Sequence, residues 1–123
     1  MPTILLVEDN ETNRDMLSRR LRRAGYNVLC AEDGPRGVQL AGEAKPDLVL
    51  MDIALGAMDG WEATTLIHSK TNPKSPPVIA LTAHALESDR RRSVEVGCCD
   101  FDTKPVDMTR LLGKIERHLS AAA

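Results

Sequence analysis

The sequence predicts an α/β domain with a doubly wound, five-stranded parallel sheet and helices on both faces, and three observations carry that prediction. Aliphatic or β-branched runs recur at 3–7, 27–31, 47–52, 77–82 and, more weakly, 98–103. Each is followed by a stretch of helical character, which makes five βα units. The runs ILLV, DLVLM and VIAL are apolar nearly throughout, as strands buried on both faces of a parallel sheet must be. Right-handed crossovers then wind the helices onto both sides. At 123 residues and 42% hydrophobic, the chain fits a single domain over 1–123, long enough to bury roughly two thirds of its unfolded surface.

The first strand, 3–7, runs straight into Glu8 and Asp9. The first helix, about 11–24, places Met16, Leu17, Leu21 and Ala24 on one side and Arg19, Arg20, Arg22 and Arg23 on the other. It ends at Gly25, a residue suited to the left-handed position after a helix. The second strand is 27–31, and the third, 47–52, closes on Asp52. SKTNPKSPP, 69–77, is too short to separate domains and reads as the loop before the fourth strand. That strand, 77–82, closes on Thr82, and the fifth is followed by Lys104-Pro105. The last helix has the clearest pattern: Met108, Leu111, Leu112, Ile115 and Leu119 share a face, with Asp107 placed to cap its start.

Composition excludes several roles. With 16 Lys+Arg against 18 Asp+Glu and a formal charge of -2, no basic excess exists to displace counterions, so nucleic acid is not an expected direct partner. Three cysteines, Cys30, Cys98 and Cys99, have no metal-site spacing, and MPTILLVEDN lacks the form of a signal peptide. The longest apolar run, DLVLMDIAL, is broken by aspartates and too short to span a bilayer. A soluble, cytoplasmic protein without membrane insertion is expected.

In an open parallel sheet, ligands bind beyond the carboxyl ends of the strands. Glu8, Asp9, Asp52, Thr82 and Lys104 all fall on that edge. Three converging carboxylates repel, each pair by on the order of 4 kcal/mol at 4 Å with an effective dielectric near 20, so a cation is called for. Hard oxygen ligands of this kind suit Mg²⁺, which is commonly held by one or two carboxylates together with a phosphate oxygen. Lys104 adds a point charge and Thr82 a hydroxyl donor. The set forms a socket for a phosphoryl group on Asp52. Taken singly, Glu8 reads as a solvated strand-end acid, Thr82 as a β-former and Lys104 as a surface lysine; the ordered set does not.

Glu8-Asp9 after the first strand, Asp52 in DLVLMD, Thr82-Ala83 in VIALTA, and Phe101 with Lys104-Pro105 in DFDTKP resemble the receiver domain of two-component response regulators, of the chemotaxis-regulator-like, single-domain kind. The resemblance spans essentially the whole chain. It implies a flavodoxin-like (βα)5 fold with strand order 2-1-3-4-5. It also implies a phosphorylation switch rather than an enzyme, with at most Mg²⁺-dependent self-phosphorylation from small donors and self-dephosphorylation. Asp52 would accept a phosphoryl group from a phosphohistidine on a sensor histidine kinase or a histidine phosphotransfer protein. Mg²⁺ would be held by Asp9, Asp52 and the backbone carbonyl of Ala54, with Glu8 acting mainly through water. Thr82 and Lys104 would contact the phosphoryl oxygens, and Thr82 and Phe101 would be the switch residues. The altered surface would be the fourth helix, fifth strand and fifth helix, offered to an unidentified protein target, with dimerisation on activation left open. A cis Lys104-Pro105 bond is implied as well.

The chain departs from the family after Asp52, where Leu55-Gly56 stands in place of the usual Met-Pro pair. Glycine frees backbone that proline would restrict, which makes a more mobile loop and a changed metal affinity the expectation. Ala54 and His84 sit where family side chains tune access of the hydrolytic water. His68, His84 and His118 show no ligand spacing. Cys98-Cys99 reads as packing rather than a redox pair, Trp61 and Met58 as core or loop fillers, and Arg90 to Arg92 as a solvated helix face that also suits a partner. Of the competing functions, a flavin or nucleotide binder would want a glycine-rich loop where VEDNETN stands. A haloacid-dehalogenase-type phosphatase would want an acid where Ala54 stands. A pseudo-receiver acting by phosphorylation-independent binding is the remaining alternative. Met1 and the short tail SAAA fit a stand-alone receiver better than one excised from a longer protein.

Overall fold

The computed structural model describes residues 1–83 and 86–122. Along the chain run β1 (Thr3–Val7), α1 (Glu11–Arg23), β2 (Asn27–Ala31), α2 (Gly34–Ala44), β3 (Leu48–Asp52), α3 (Gly60–Thr71), β4 (Val78–Thr82), α4 (Glu87–Glu95), β5 (Asp100–Thr103) and α5 (Met108–Ala122). All neighbouring strands pair in parallel, in the order β2-β1-β3-β4-β5. The doubly wound arrangement and its strand order are therefore as expected. Three strands start later than the sequence pattern suggests, each for a local reason. The Asp47 carboxylate accepts the Thr3 N–H at 2.7 Å, Pro77 has no N–H to give a ladder, and the Cys98 N–H closes the turn after α4 onto the Ser93 carbonyl at 2.9 Å. Residues 69–71 are the last turn of α3, so the loop before β4 is shorter than expected.

Every residue of β3 and β4 is buried, and the pleat deals their side chains alternately to two cores. On one face, Leu5, Val7, Val49 and Met51 meet Val38 and Ala41 of α2 and Ala63 and Ile67 of α3, with Trp61 and Met58 packed at the margin. On the other, Ile4, Leu6, Leu48, Leu50, Ile79 and Leu81 meet Leu17 and Leu21 of α1 and Leu111 and Ile115 of α5. The apolar stripe of α1 is narrower than expected. Leu17, Ser18 and Leu21 are buried, whereas Met16 is 40% exposed and Ala24 is exposed. Gly25, at φ 101°, ends the helix in the left-handed conformation as expected.

Asn10, Asp33, Asp59 and Asp107 cap their helices by accepting the N–H groups of Asn13, Arg36, Glu62 and Arg110 at 2.8 to 3.1 Å. Leu86, at the start of α4, offers no side-chain cap, and Ser93 is the buried residue of that helix. No helix among the described residues is long and apolar enough to cross a membrane.

Candidate functional site

In this topology β1 and β3 are neighbours while their connections leave in opposite directions, so a crevice opens beyond their carboxyl ends. Glu8 and Asp9 follow β1 and Asp52 ends β3. The three contribute carboxylate oxygens that all lie within 4.8 Å of one another, and they form the acidic group of this kind found among the described residues. Glu8 is tied at both ends of its peptide: its N–H donates to the Ala31 carbonyl at 3.0 Å, and its carbonyl accepts from the Arg14 guanidinium at 2.9 Å. Its side chain is therefore turned inward and is 1% exposed, not the solvated strand-end acid that Glu8 alone suggests. Asp9 is exposed and Asp52 is buried.

Lys104 is brought to the same crevice from β5. Its backbone N–H donates to the Thr82 carbonyl at 2.7 Å. Its ammonium lies 2.8 Å from Glu8 Oε1 and 3.2 Å from Asp52 Oδ2. The other Asp52 oxygen, Oδ1, accepts the Ala54 N–H at 3.1 Å. Thr82 is buried one residue past Leu81, the register partner of Asp52. The five polar strand-end residues expected on one edge thus share it.

These contacts set the charge states. Burial pushes the Glu8 carboxyl up to about 7, and Asp52 beside it adds to the shift against the pull of Lys104. Burial acts on Asp52 in the same direction, but its hydrogen bond with Glu8, the Lys104 charge and the Ala54 N–H outweigh it and hold Asp52 below its ordinary value. For Lys104, burial is outweighed by Glu8 and Asp52, and its pKa stands above that of an ordinary lysine. The two buried carboxyls are thus driven in opposite directions, Glu8 up and Asp52 down. One lysine against three acids leaves negative charge in excess, and Glu8 Oε2 is buried with no hydrogen-bond partner among the described residues. An all-oxygen donor set with an orphaned carboxylate oxygen fits Mg²⁺.

The segment after Asp52, with Leu55-Gly56, has contacts at Leu55 and at its far end. Leu55 is buried in the α2–α3 core, and the Gly60 N–H donates to the Ile53 carbonyl at 3.1 Å. A Cβ on Gly60 would stand 2.5 Å from the Asp52 carbonyl oxygen and 2.7 Å from Ile53 Cα, so glycine is what lets α3 start against the end of β3. Gly56 meets nothing within 4 Å. The Lys104-Pro105 peptide is cis, as is Asn72-Pro73. His84 lies outside the described residues.

Beside the acidic crevice a groove of about 570 Å³ runs between α1 and the loop after β5, lined among others by Met16, Arg20, Lys104, Pro105 and Val106. Periodicity puts Met16 on one side of α1 with Leu17 and Leu21, and the packing of α1 gives it a place in this groove. Phe101 lies further out, half-buried, with the Arg90 guanidinium 5.8 Å over its ring. Sequence reasoning also missed Asp102, which is 3% exposed and pairs with Arg110 at 2.7 Å; the signal available was the flanking of Phe101 by two aspartates. Of the described histidines, His68 Nε2 is 2.9 Å from the Gly97 carbonyl and His118 Nε2 is 2.8 Å from Asp100. Burial pushes the Cys98 thiol up to about 12 and Cys99 up to about 11, so neither is a thiolate at neutral pH.

Comparison with known proteins places these features in a context. A family model described as the response regulator receiver domain matches residues 4–116. Protein PilH of Pseudomonas aeruginosa is 38% identical over 98% of this chain and 99% of its own. The polar-differentiation response regulator DivK of Brucella anthropi is 33% identical over 98% of each. The receiver domain of a sensor histidine kinase of Pseudomonas aeruginosa, solved with a magnesium ion coordinated in its active site cleft, superposes with a TM-score of 0.88 at 37% identity, covering 97% of this chain and 98% of that one.

Proposed function

The chain belongs to the response regulator receiver domains of two-component signalling, and from that membership we propose that residues 1–123 act as one phosphorylation switch whose acceptor is Asp52. The observation that carries this reading is the buried Asp52 carboxylate itself, with Lys104 on Oδ2 and the Ala54 N–H on Oδ1. The phosphoryl donor is a phosphohistidine on a sensor histidine kinase or a histidine phosphotransfer protein. An Asp52 oxygen attacks phosphorus, the new O–P bond forms as the P–N bond breaks, and the imidazole nitrogen takes the bonding pair and leaves. Attack of water on the acyl phosphate later breaks the O–P bond and releases inorganic phosphate, so no separate substrate is turned over and the protein is a switch, not a classical enzyme.

Glu8, Asp9, Asp52 and the Ala54 backbone carbonyl would hold Mg²⁺, which when bound supplies positive charge against the oxygens of the transferring group. Lys104 holds Asp52 in place before transfer and offers its ammonium to a phosphoryl oxygen after it; Thr82 offers a hydroxyl to another. The modification adds about -1.5 to -2 charge. That charge draws Thr82 inward, Phe101 turns into the space vacated, and the face of α4, β5 and α5 changes for a downstream protein partner. A pseudo-receiver that binds without phosphorylation is the weaker reading, because acceptor, acids, Thr82 and Lys104 share one edge.

Incubation with acetyl phosphate and Mg²⁺, followed by intact mass, tests the proposal. One phosphoryl adduct that disappears with EDTA and with Asp52→Asn is expected; an adduct of equal yield on Asp52→Asn, or none on the unsubstituted protein, would sink it.

A further inference from the structure

β5 is held unlike the other strands. It contributes no buried hydrophobic residue to either core, and its buried side chain is the carboxylate of Asp102, the one buried carboxylate among the described residues outside the Glu8 and Asp52 site. Backbone pairing to β4 fixes one edge of the strand. The face turned to α5 is fixed by charge. Arg110, Lys114, Arg117 and His118 form one stripe along α5 and meet Asp100 and Asp102, which alternate with Phe101 along β5. Asp102 Oδ1 accepts from Arg110 Nη2 at 2.7 Å and Nε at 2.9 Å, and Lys114 Nζ donates to the Phe101 carbonyl at 2.6 Å while lying 3.6 Å from Asp100 and from Asp102. Asp100 Oδ2 meets Arg117 at 2.6 Å and His118 at 2.8 Å. The opposite face of α5 is anchored in the core through Leu111 and Ile115, both fully buried. α5 is thus fixed by hydrophobic packing, and β5 is held between the β4 ladder on one side and these ion pairs to α5 on the other.

Lys104 follows Asp102 by two residues, and Phe101 precedes it. We propose that the Asp102–Arg110 ion pair, supported by Lys114, is a positioning element for phosphoryl transfer: it ties the end of β5 to α5 and so sets where the Lys104 ammonium meets Asp52. This inference rests on the reading of Asp52 as the phospho-acceptor. Asp102 and Arg110 are positioning residues, since neither touches the reacting group. Asp102 is buried while the Arg110 side chain is 47% exposed, so removing both partners together leaves no buried carboxylate without its cation, which allows the positioning role to be separated from stability.

The test uses Asp102→Leu/Arg110→Leu together and Arg110→Lys alone, each incubated with acetyl phosphate and Mg²⁺, with adduct formation followed by intact mass, Mg²⁺ affinity by isothermal titration and Tm by calorimetry. The double variant is expected to keep a single cooperative calorimetric transition and an unchanged Mg²⁺ affinity, while the adduct forms about tenfold more slowly, as expected when a group that meets the transferring oxygens is displaced. Arg110→Lys, which keeps the charge but loses the bidentate fork, should fall between the two rates. A double variant that phosphorylates at the unsubstituted rate would overturn the inference. If the double variant does not fold, Arg110→Lys decides alone: an unsubstituted rate there overturns the positioning role. No adduct on the unsubstituted protein would instead defeat the phospho-acceptor reading and, with it, this one.

Discussion

Glu8 and Asp52 share one lysine yet are driven in opposite directions, Glu8 up to about 7 chiefly by burial and Asp52 below its ordinary value by its hydrogen bond to Glu8 and the Lys104 charge, against the opposing effect of burial. The linkage has a definite sign. A carboxyl whose pKa is raised on folding contributes stability that is full below its unfolded pKa and lost as pH rises through the folded one. Metal-free protein should therefore lose stability as pH rises from 4.5 through about 7, and Glu8→Gln should flatten that window. Tm measured against pH in EDTA checks this; an unchanged slope in Glu8→Gln would assign the effect elsewhere. Asp52, with its lowered pKa, contributes in the opposite sense and only at more acid pH.

At the level of elements, two glycines near the site behave differently. Gly60→Ala forces a Cβ to within 2.5 Å of the Asp52 carbonyl oxygen, so α3 must back away from β3, at a cost of about 1–3 kcal/mol and with slower adduct formation on Asp52. Gly56→Ala meets open space and should gain about 0.4–1 kcal/mol by narrowing the unfolded ensemble. Urea midpoints of the two variants should move in opposite directions. α4 starts without a side-chain cap, since Leu86 supplies none and is 60% exposed. Leu86→Ser should add about 0.5–2 kcal/mol through a new N-cap bond, read as a raised urea midpoint with an unchanged m-value. No gain would mean that the first turn of α4 is already satisfied.

For the whole molecule, metal and folding are linked through the crevice. Mg²⁺ at a hundred times its Kd should raise stability by about 2.7 kcal/mol. Asp9 is exposed while Glu8 and Asp52 are buried, so Asp9→Asn should leave the metal-free Tm nearly unchanged and abolish most of the Mg²⁺-dependent rise. A full rise in Asp9→Asn would remove Asp9 from the ligand set. The same architecture joins site to surface: Phe101 lies in the short strand β5, held between β4 and α5, and Lys104, which reaches the crevice, follows directly on its end.

The parallel sheet, its strand order and the gathering of Glu8, Asp9, Asp52, Thr82 and Lys104 on one edge were legible in the residues, because apolar runs mark buried strands and a parallel sheet sends every strand's carboxyl end the same way. The caps at Asp107 and Gly25 were legible too, since capping depends on chain-local geometry. What remained hidden depends on how one element leans on another. The burial of Glu8, the outward turn of Met16 into the groove and the contact of Gly60 with the end of β3 are such cases. So is the ion pair between Asp102 and Arg110. Periodicity gives the face of a helix or strand but not the angle at which two faces meet. The sequence by itself determined which chemical groups share an edge, and only the tertiary packing decided which of them are buried and which distant side chains hold them in place.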